Sequence, residues 1–272
     1  MTTPPATAPL SVYVNGVGLL GPGFASWPHG TAVLSDAAVY EPHATVLPLP
    51  VSLPAAERRR AGRVIKLAVA IGLEAAERAG ENPAELATVF TSSGGDGHNC
   101  HELCQALTSG ERQLSPTRFH NSVHNAAAGY WSIATGSMAP SNVLCAFDAS
   151  FAAGLLEAMT QVIVHRATRL LLAYDTEYPD PLHRKRPIPD AFGVALVLAH
   201  EAGARSLARL EASLTDAVSD RMDDARIEFL RASIPAARSL PLLRRLARHE
   251  RGRVTLEYLE PANLTLEIIP CA

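Results

Sequence analysis

The sequence predicts an α/β fold, a mixed β-sheet with helices on both faces followed by a short C-terminal β-hairpin. Three observations carry that expectation. Between residues 11 and 212, short apolar runs bounded by turn residues alternate with longer stretches of helical periodicity. Two of those runs, Arg169–Ala173 and Phe192–His200, are apolar at nearly every position, as strands covered on both faces are. Val254–Leu259 and Leu264–Ile269 instead alternate with period two around Pro261-Ala262-Asn263, the pattern of a hairpin.

Taken in order, Ser11–Asn15 alternates towards a strand and runs into a turn containing Gly16, Gly18, Gly21, Pro22 and Gly23. Residues Gly30 to Val51 read as irregular. A single helix is expected from about Pro54 to Ala79, with Val64, Leu67, Ile71 and Ala75 on one face and Gly80 as its stop. Ala87–Thr91 is a short strand that opens into Ser92-Ser93-Gly94-Gly95-Asp96-Gly97 and a helix to about Leu107. Ala126–Thr135 is a small-residue helix ending at Gly136, and Ser141–Phe147 is apolar enough for a buried strand. Asp148–Val164 follows as a helix whose apolar face is Phe151, Leu155, Leu156, Met159 and Val162. Asp223–Ala236 and Leu240–His249 read as short helices before the hairpin. The expected division is a disordered stretch at 1–10, one domain at 11–212, and a helical segment with hairpin at 213–272 packed on that domain.

The chain has 272 residues, of which 47% are hydrophobic and 19% charged, enough for a sizeable core. A net charge of -3 gives no electrostatic reason to expect nucleic acid or an anionic membrane as partner. Runs such as Leu170–Ala173 and Val194–Ala199 are too short to span a bilayer, and Met1–Leu10 lacks the layout of a secretion signal. A cytoplasmic protein is expected. Cys100, Cys104, Cys145 and Cys271 are then expected to be free, buried thiols.

Several of these segments, in this order, resemble the N-terminal half of β-ketoacyl synthases of the thiolase-like superfamily. Val12–Gly23 is similar to the family's opening strand and turn. Val89–Gly97 is similar to its Gly-rich strand-to-helix turn. Ser115–Ile133 is the most specific match, with its Ser-Pro, an Asn ten residues on, small residues, Gly and an amphipathic helix. Leu170–Glu177 and Gly193–Glu201 resemble the next two strands, although Tyr174 and Asp175 stand where the family has glycines.

The resemblance implies a nucleophilic cysteine at the end of a strand, where the following helix start favours the thiolate. Counting from Gly136 and Pro140, and with Ser150 two residues on, that position falls on Asp148, or on Phe147 if the register is off by one. Neither is a nucleophilic thiol, and Cys145 comes about three residues too early. Asp148 reads most simply as an N-cap of the helix. The chemical reading makes it a carboxylate for acyl transfer or decarboxylation, assisted by His120 or His124. The family's two catalytic histidines and lysine belong to a C-terminal half for which this sequence offers no counterpart, so no condensing activity of its own is expected.

His98, Cys100, His101 and Cys104 invite a zinc reading, but no second ligand pair with zinc-site spacing follows, and no metal is expected. The resemblance implies no cofactor either. Ser92–Gly97 lacks the Lys-Ser/Thr ending of a phosphate-binding loop, so close backbone packing is its expected use. Arg58-Arg59-Arg60 reads as a solvated helix turn, with docking of an acidic carrier protein as the weaker alternative.

The whole resembles chain-length factors, and most of all the chain-length-factor-like subunits of aryl polyene pathways in polyketide and fatty-acid-like biosynthesis. That implies a heterodimer with a full-length β-ketoacyl synthase across the Ser141–Phe147 strand, with acyl carrier protein reached through the complex. Arg118, Phe119, His120, Val123, Asn125, Trp131, Val143, Cys145 and Phe147 are the expected interface and acyl-tunnel residues. A pure assembly scaffold is the third reading.

Overall fold

The computed structural model describes residues 10–110 and 112–272, whose strands form one eight-stranded sheet. The strands are β1 (Leu10–Leu20), β2 (Ala87–Thr91), β3 (Ser141–Leu144), β4 (Arg169–Asp175), β5 (Phe192–Ala199), β6 (Ala208–Thr215), β7 (Gly252–Glu257) and β8 (Asn263–Pro270). They lie in the order β3-β2-β4-β5-β1-β6-β8-β7. Only β3/β2 and β2/β4 are parallel, and the other neighbours are antiparallel, so the sheet is mixed as the sequence predicts.

Helices α3 (Arg63–Ala79) and α6 (Ala126–Thr135) cover one face, where Leu67, Ile71 and Trp131 meet Leu170, Leu172 and Tyr174. On the other face α7 (Ser150–His165) brings Phe151, Leu155 and Met159 onto Leu171 and Ala173. Successive residues of β4 thus serve opposite cores, as the two-residue period of a strand requires. Each large side chain so buried contributes about 1.5–3 kcal/mol. At Gly18 an added Cβ would lie 2.0 Å from the Ile71 carbonyl oxygen, so the backbone of α3 rests directly on β1.

Several expectations are corrected. The helix from Pro54 to Ala79 is two helices, α2 (Ala55–Arg60) and α3, because Ala61 and Gly62 turn extended. Ala61 drops into a small core with Leu53, Ile65 and Tyr130, and Gly62 leaves room for the Asp96 carboxylate. The stretch read as irregular from Gly30 begins within α1 (Trp27–Leu34), whose start is capped by the Ser26 side chain on the His29 amide. β6 was not anticipated; it pairs with β1 and β8 and so joins the predicted C-terminal hairpin, β7–β8, to the main sheet. β3 ends at Leu144 and is half-buried at most, since it is an edge strand with one neighbour.

The thiols are not buried either. Cys100, Cys104 and Cys145 are exposed and Cys271 is intermediate. Helix α4 (Gly97–Thr108) buries only Gly97 and Asn99, and β3 leads out at the rim, so neither element has an inner side for a cysteine. One stretch, Phe147–His165, is long and apolar enough to cross a membrane by length and composition, contrary to the expectation for the apolar runs. Half of it is buried in the fold, where α7 serves as a core helix. The stretch expected to be disordered, 1–10, lies outside the described residues except for Leu10, which begins β1.

The remaining helices are α5 (Pro116–His120), α8 (Ala225–Ser233) and α9 (Leu240–Arg248). Leu242, Leu243 and Leu246 of α9 complete the core beneath β7 and β8.

Candidate functional site at the strand-to-helix turn

After Leu144 the chain turns sharply through one 3-10 turn, Phe147–Ala149, into α7. Phe147 has φ 51°, the left-handed region that a residue with a β-carbon rarely adopts. Ser150 closes the turn, its hydroxyl donating to the Phe147 carbonyl at 2.7 Å while accepting from the Ala146 amide at 3.1 Å. A strained turn of this kind between a strand and a helix lifts one side chain clear of the backbone. Here that side chain is the phenyl ring of Phe147, 61% exposed.

Asp148 does not cap α7. The helix starts from Ala149 with no side-chain cap, because the 3-10 turn aims the Asp148 carboxylate at two arginines instead. It accepts from Arg186 at 2.5 Å and from Arg238 at 3.0 Å. The Arg186 guanidinium also lies 3.9 Å from the centre of the Phe147 ring, a cation–π contact. Arg238 continues to Glu257, which takes Arg231 at 3.2 Å, and Arg231 reaches Glu228 at 2.7 Å. The result is a chain of alternating charges from the turn to α8.

The Gly-rich turn Ser92–Gly97 lies alongside. The fully buried Asp175 carboxylate accepts from the Ser93 amide at 2.8 Å, the Ser93 hydroxyl at 2.6 Å and the Ala236 amide at 2.9 Å. Burial pushes its pKa up to about 6, while those hydrogen bonds and Arg186 pull the other way. The glycines admit Tyr178: a Cβ at Gly94 would lie 2.0 Å from its hydroxyl oxygen, and one at Gly97 1.5 Å from its ring. The Ser93 amide donates to Asp175 and the Gly95 amide to the Ser92 hydroxyl at 3.2 Å, so both are engaged internally rather than turned to an anion.

Of the residues singled out from the sequence, Phe119, Val123, His120 and Asn125 are exposed on α5 and the loop after it. Arg118 pairs with Glu102 at 3.2 Å, and Val143 is half-buried on β3. The Cys145 thiol donates to the Ser93 carbonyl at 3.3 Å. Trp131 is a correction: it is 1% exposed, its indole filling the space above Gly72 of α3 beside Leu172, and so it belongs to the core. Neither His120 nor His124 lines the cleft of about 750 Å³ that opens beside Phe147 and Asp148. Among the described residues no group of three or more His, Cys, Asp or Glu side chains is placed to hold a metal ion. The exposed Cys100 thiol has its pKa raised, first by partial desolvation and then by the neighbouring Cys104 thiol.

Sequence reasoning missed Met138, 96% exposed just before β3, and exposed Ile133 on α6. It also missed Arg186 and Arg238, which stand 38 and 90 residues from Asp148 and carry no local signal.

Residues 35–257 match the family described as beta-ketoacyl synthase, N-terminal domain. No curated protein sequence matches the chain. Among solved structures, a chain of the complex between the ketosynthase ApeO and its chain length factor ApeC from Xenorhabdus doucetiae is similar at 23% identity and TM-score 0.72, over 94% of this chain and 99% of that one. The ishigamide ketosynthase/chain length factor is similar at 16% identity and TM-score 0.69, over 96% and 100%. A chain of AntDE:AntF, a type II acyl carrier protein in complex with its ketosynthase, is similar at 11% identity and TM-score 0.73, over 97% and 100%. These likenesses show the thiolase-like fold.

Proposed function

Because the chain belongs to the beta-ketoacyl synthase N-terminal domain family, we propose that it is a non-catalytic, chain-length-factor-like subunit of a polyketide or polyene assembly system. It pairs with a full-length β-ketoacyl synthase and helps to shape that partner's acyl tunnel. One observation carries this reading: the strained turn between β3 and α7 presents Phe147, a side chain with no nucleophilic atom. Asp148, the neighbouring candidate, is committed to Arg186 and Arg238.

The pairing surface is the open edge of β3 with the segments that lead into it. An unpaired strand edge with exposed Met138 just before it, following a stretch that also exposes Phe119, Val123 and Ile133, is a surface that a partner covers. The solved relatives include ketosynthases held by their chain length factors, and one ketosynthase bound to its carrier protein. Residues 11–212 act as the ketosynthase-like half, with 213–272 fastened to it through the pairing of β6 with β8 and the Arg238–Asp148 ion pair. Phe119 and Val123 are the tunnel-facing residues, and acyl carrier protein meets the chain only through the complex.

Reconstitution with a ketosynthase and an acyl-loaded carrier protein tests this. The pair forms extended products, this chain alone is not acylated, and Phe119→Ala or Val123→Phe changes product length. Acylation of the isolated chain, or product lengths indifferent to both substitutions, would sink the proposal.

A further inference from the structure

The cleft of about 750 Å³ beside Phe147 carries features that the turn does not explain. Three exposed apolar side chains from three separate segments stand on its rim: Phe147, Val218 and Leu259. Apolar groups gathered at a surface opening mark a docking face. Its charge is one-sided. Asp216 and Glu260 line the same opening and enter no ion pair among the described residues, whereas Arg238 at the floor is held by Asp148 and Glu257. Three exposed apolar side chains and two carboxylates outside any ion pair among the described residues, lining one opening, suit an ammonium or guanidinium group on an aliphatic stem. Phe147 follows the last residue of β3 by three positions, so the cleft continues from the edge assigned to the partner.

We infer that this cleft receives a basic side chain from the partner ketosynthase, as a second contact beside the β3 edge; this rests on the pairing proposed above. The same two carboxylates repel an acidic carrier protein, so the cleft separates the two proteins that meet at the complex.

Asp216→Lys with Glu260→Lys tests it, both sites being exposed and outside the strands and helices. Association with the ketosynthase that co-purifies with the wild-type chain is followed by stopped flow at ~20 and ~300 mM NaCl. The double variant associates about tenfold more slowly at low salt, and the difference shrinks to less than about twofold at high salt. A rate equal to or above that of the wild type would overturn the inference, as would tighter binding of the carrier protein with an unchanged ketosynthase rate. Val143→Asp on β3 separates the two readings. If it blocks association while the double variant does not, only the cleft assignment falls; if the wild-type chain pairs with no ketosynthase, both fall.

Discussion

At Phe147 the backbone stays in the left-handed region although the β-carbon makes that unfavourable by about 1–2 kcal/mol. The strained turn therefore presents a side chain with no nucleophilic atom, which under the proposed function stands where a nucleophile would. A thiol placed there would sit at the start of 16-residue α7 and next to Arg186, both of which favour thiolate. Phe147→Cys is thus expected to be alkylated by iodoacetamide at neutral pH about tenfold faster than exposed Cys145, and Arg186→Gln to remove most of that gain. Equal rates would remove the helix start as the cause. Asp175 makes a second prediction. Its pKa of about 6 in the fold lies above the ordinary carboxylate value, so it adds stability below about pH 4 that is lost as pH rises through 6. Relative to Asp175→Asn, the wild-type chain should gain on the order of 3 kcal/mol on going from pH 7 to pH 4, read from urea unfolding. A difference that does not vary with pH would contradict this assignment. The spacing from Gly136 and Pro140 pointed to the turn at Phe147 and Asp148, but a backbone angle such as that of Phe147 is not written in spacing. Trp131 misled for a similar reason: the hole it fills is made by Gly72, 59 positions away on another helix.

Among the elements, the Gly-rich turn and the proline-rich segment after β4 depend on each other through Tyr178. Gly97→Ala should destabilise the fold by about 1–3 kcal/mol, since its Cβ would overlap the Tyr178 ring. Adding Tyr178→Ala should recover part of that loss, and strict additivity in a thermal-melt cycle would argue against the contact. The Asp148 ion pairs fasten the β3–α7 turn to the segment between β4 and β5 through Arg186 and to the C-terminal segment through Arg238. Arg186, Arg238 and Asp148 are each mostly shielded from water, so Asp148→Asn leaves two guanidinium groups short of a partner. A loss of about 1–3 kcal/mol is expected, against less than about 0.5 kcal/mol for Glu267→Gln, whose partner Arg253 lies in solvent. Similar losses from both would show that burial does not govern these pairs. Elements with uniform apolar runs, β4 and β5, were legible because both faces are covered. The break between α2 and α3 was not, because it is set by where Ala61 finds Tyr130 rather than by a helix-breaking residue alone.

For the molecule as a whole, the sheet has two edge strands, β3 and β7, which the described residues treat differently. At β7, Asp220 blunts the edge, its amide donating to the Thr255 carbonyl at 2.8 Å and its carboxylate accepting from the Thr255 amide at 2.7 Å. β3 has no such cover among the described residues, and exposed Met138 lies just before it in the chain. The mixed sheet and the terminal hairpin could be read from pattern; which edge remains open depends on β6, whose pairing with both β1 and β8 no local pattern announced. The central claim is that this open edge is a seat for a ketosynthase. It is tested most directly by gel filtration of the chain co-expressed with full-length ketosynthases. The account predicts a one-to-one complex that Val143→Asp disperses into a folded monomer; a stable, monodisperse monomer with every ketosynthase tried would contradict it.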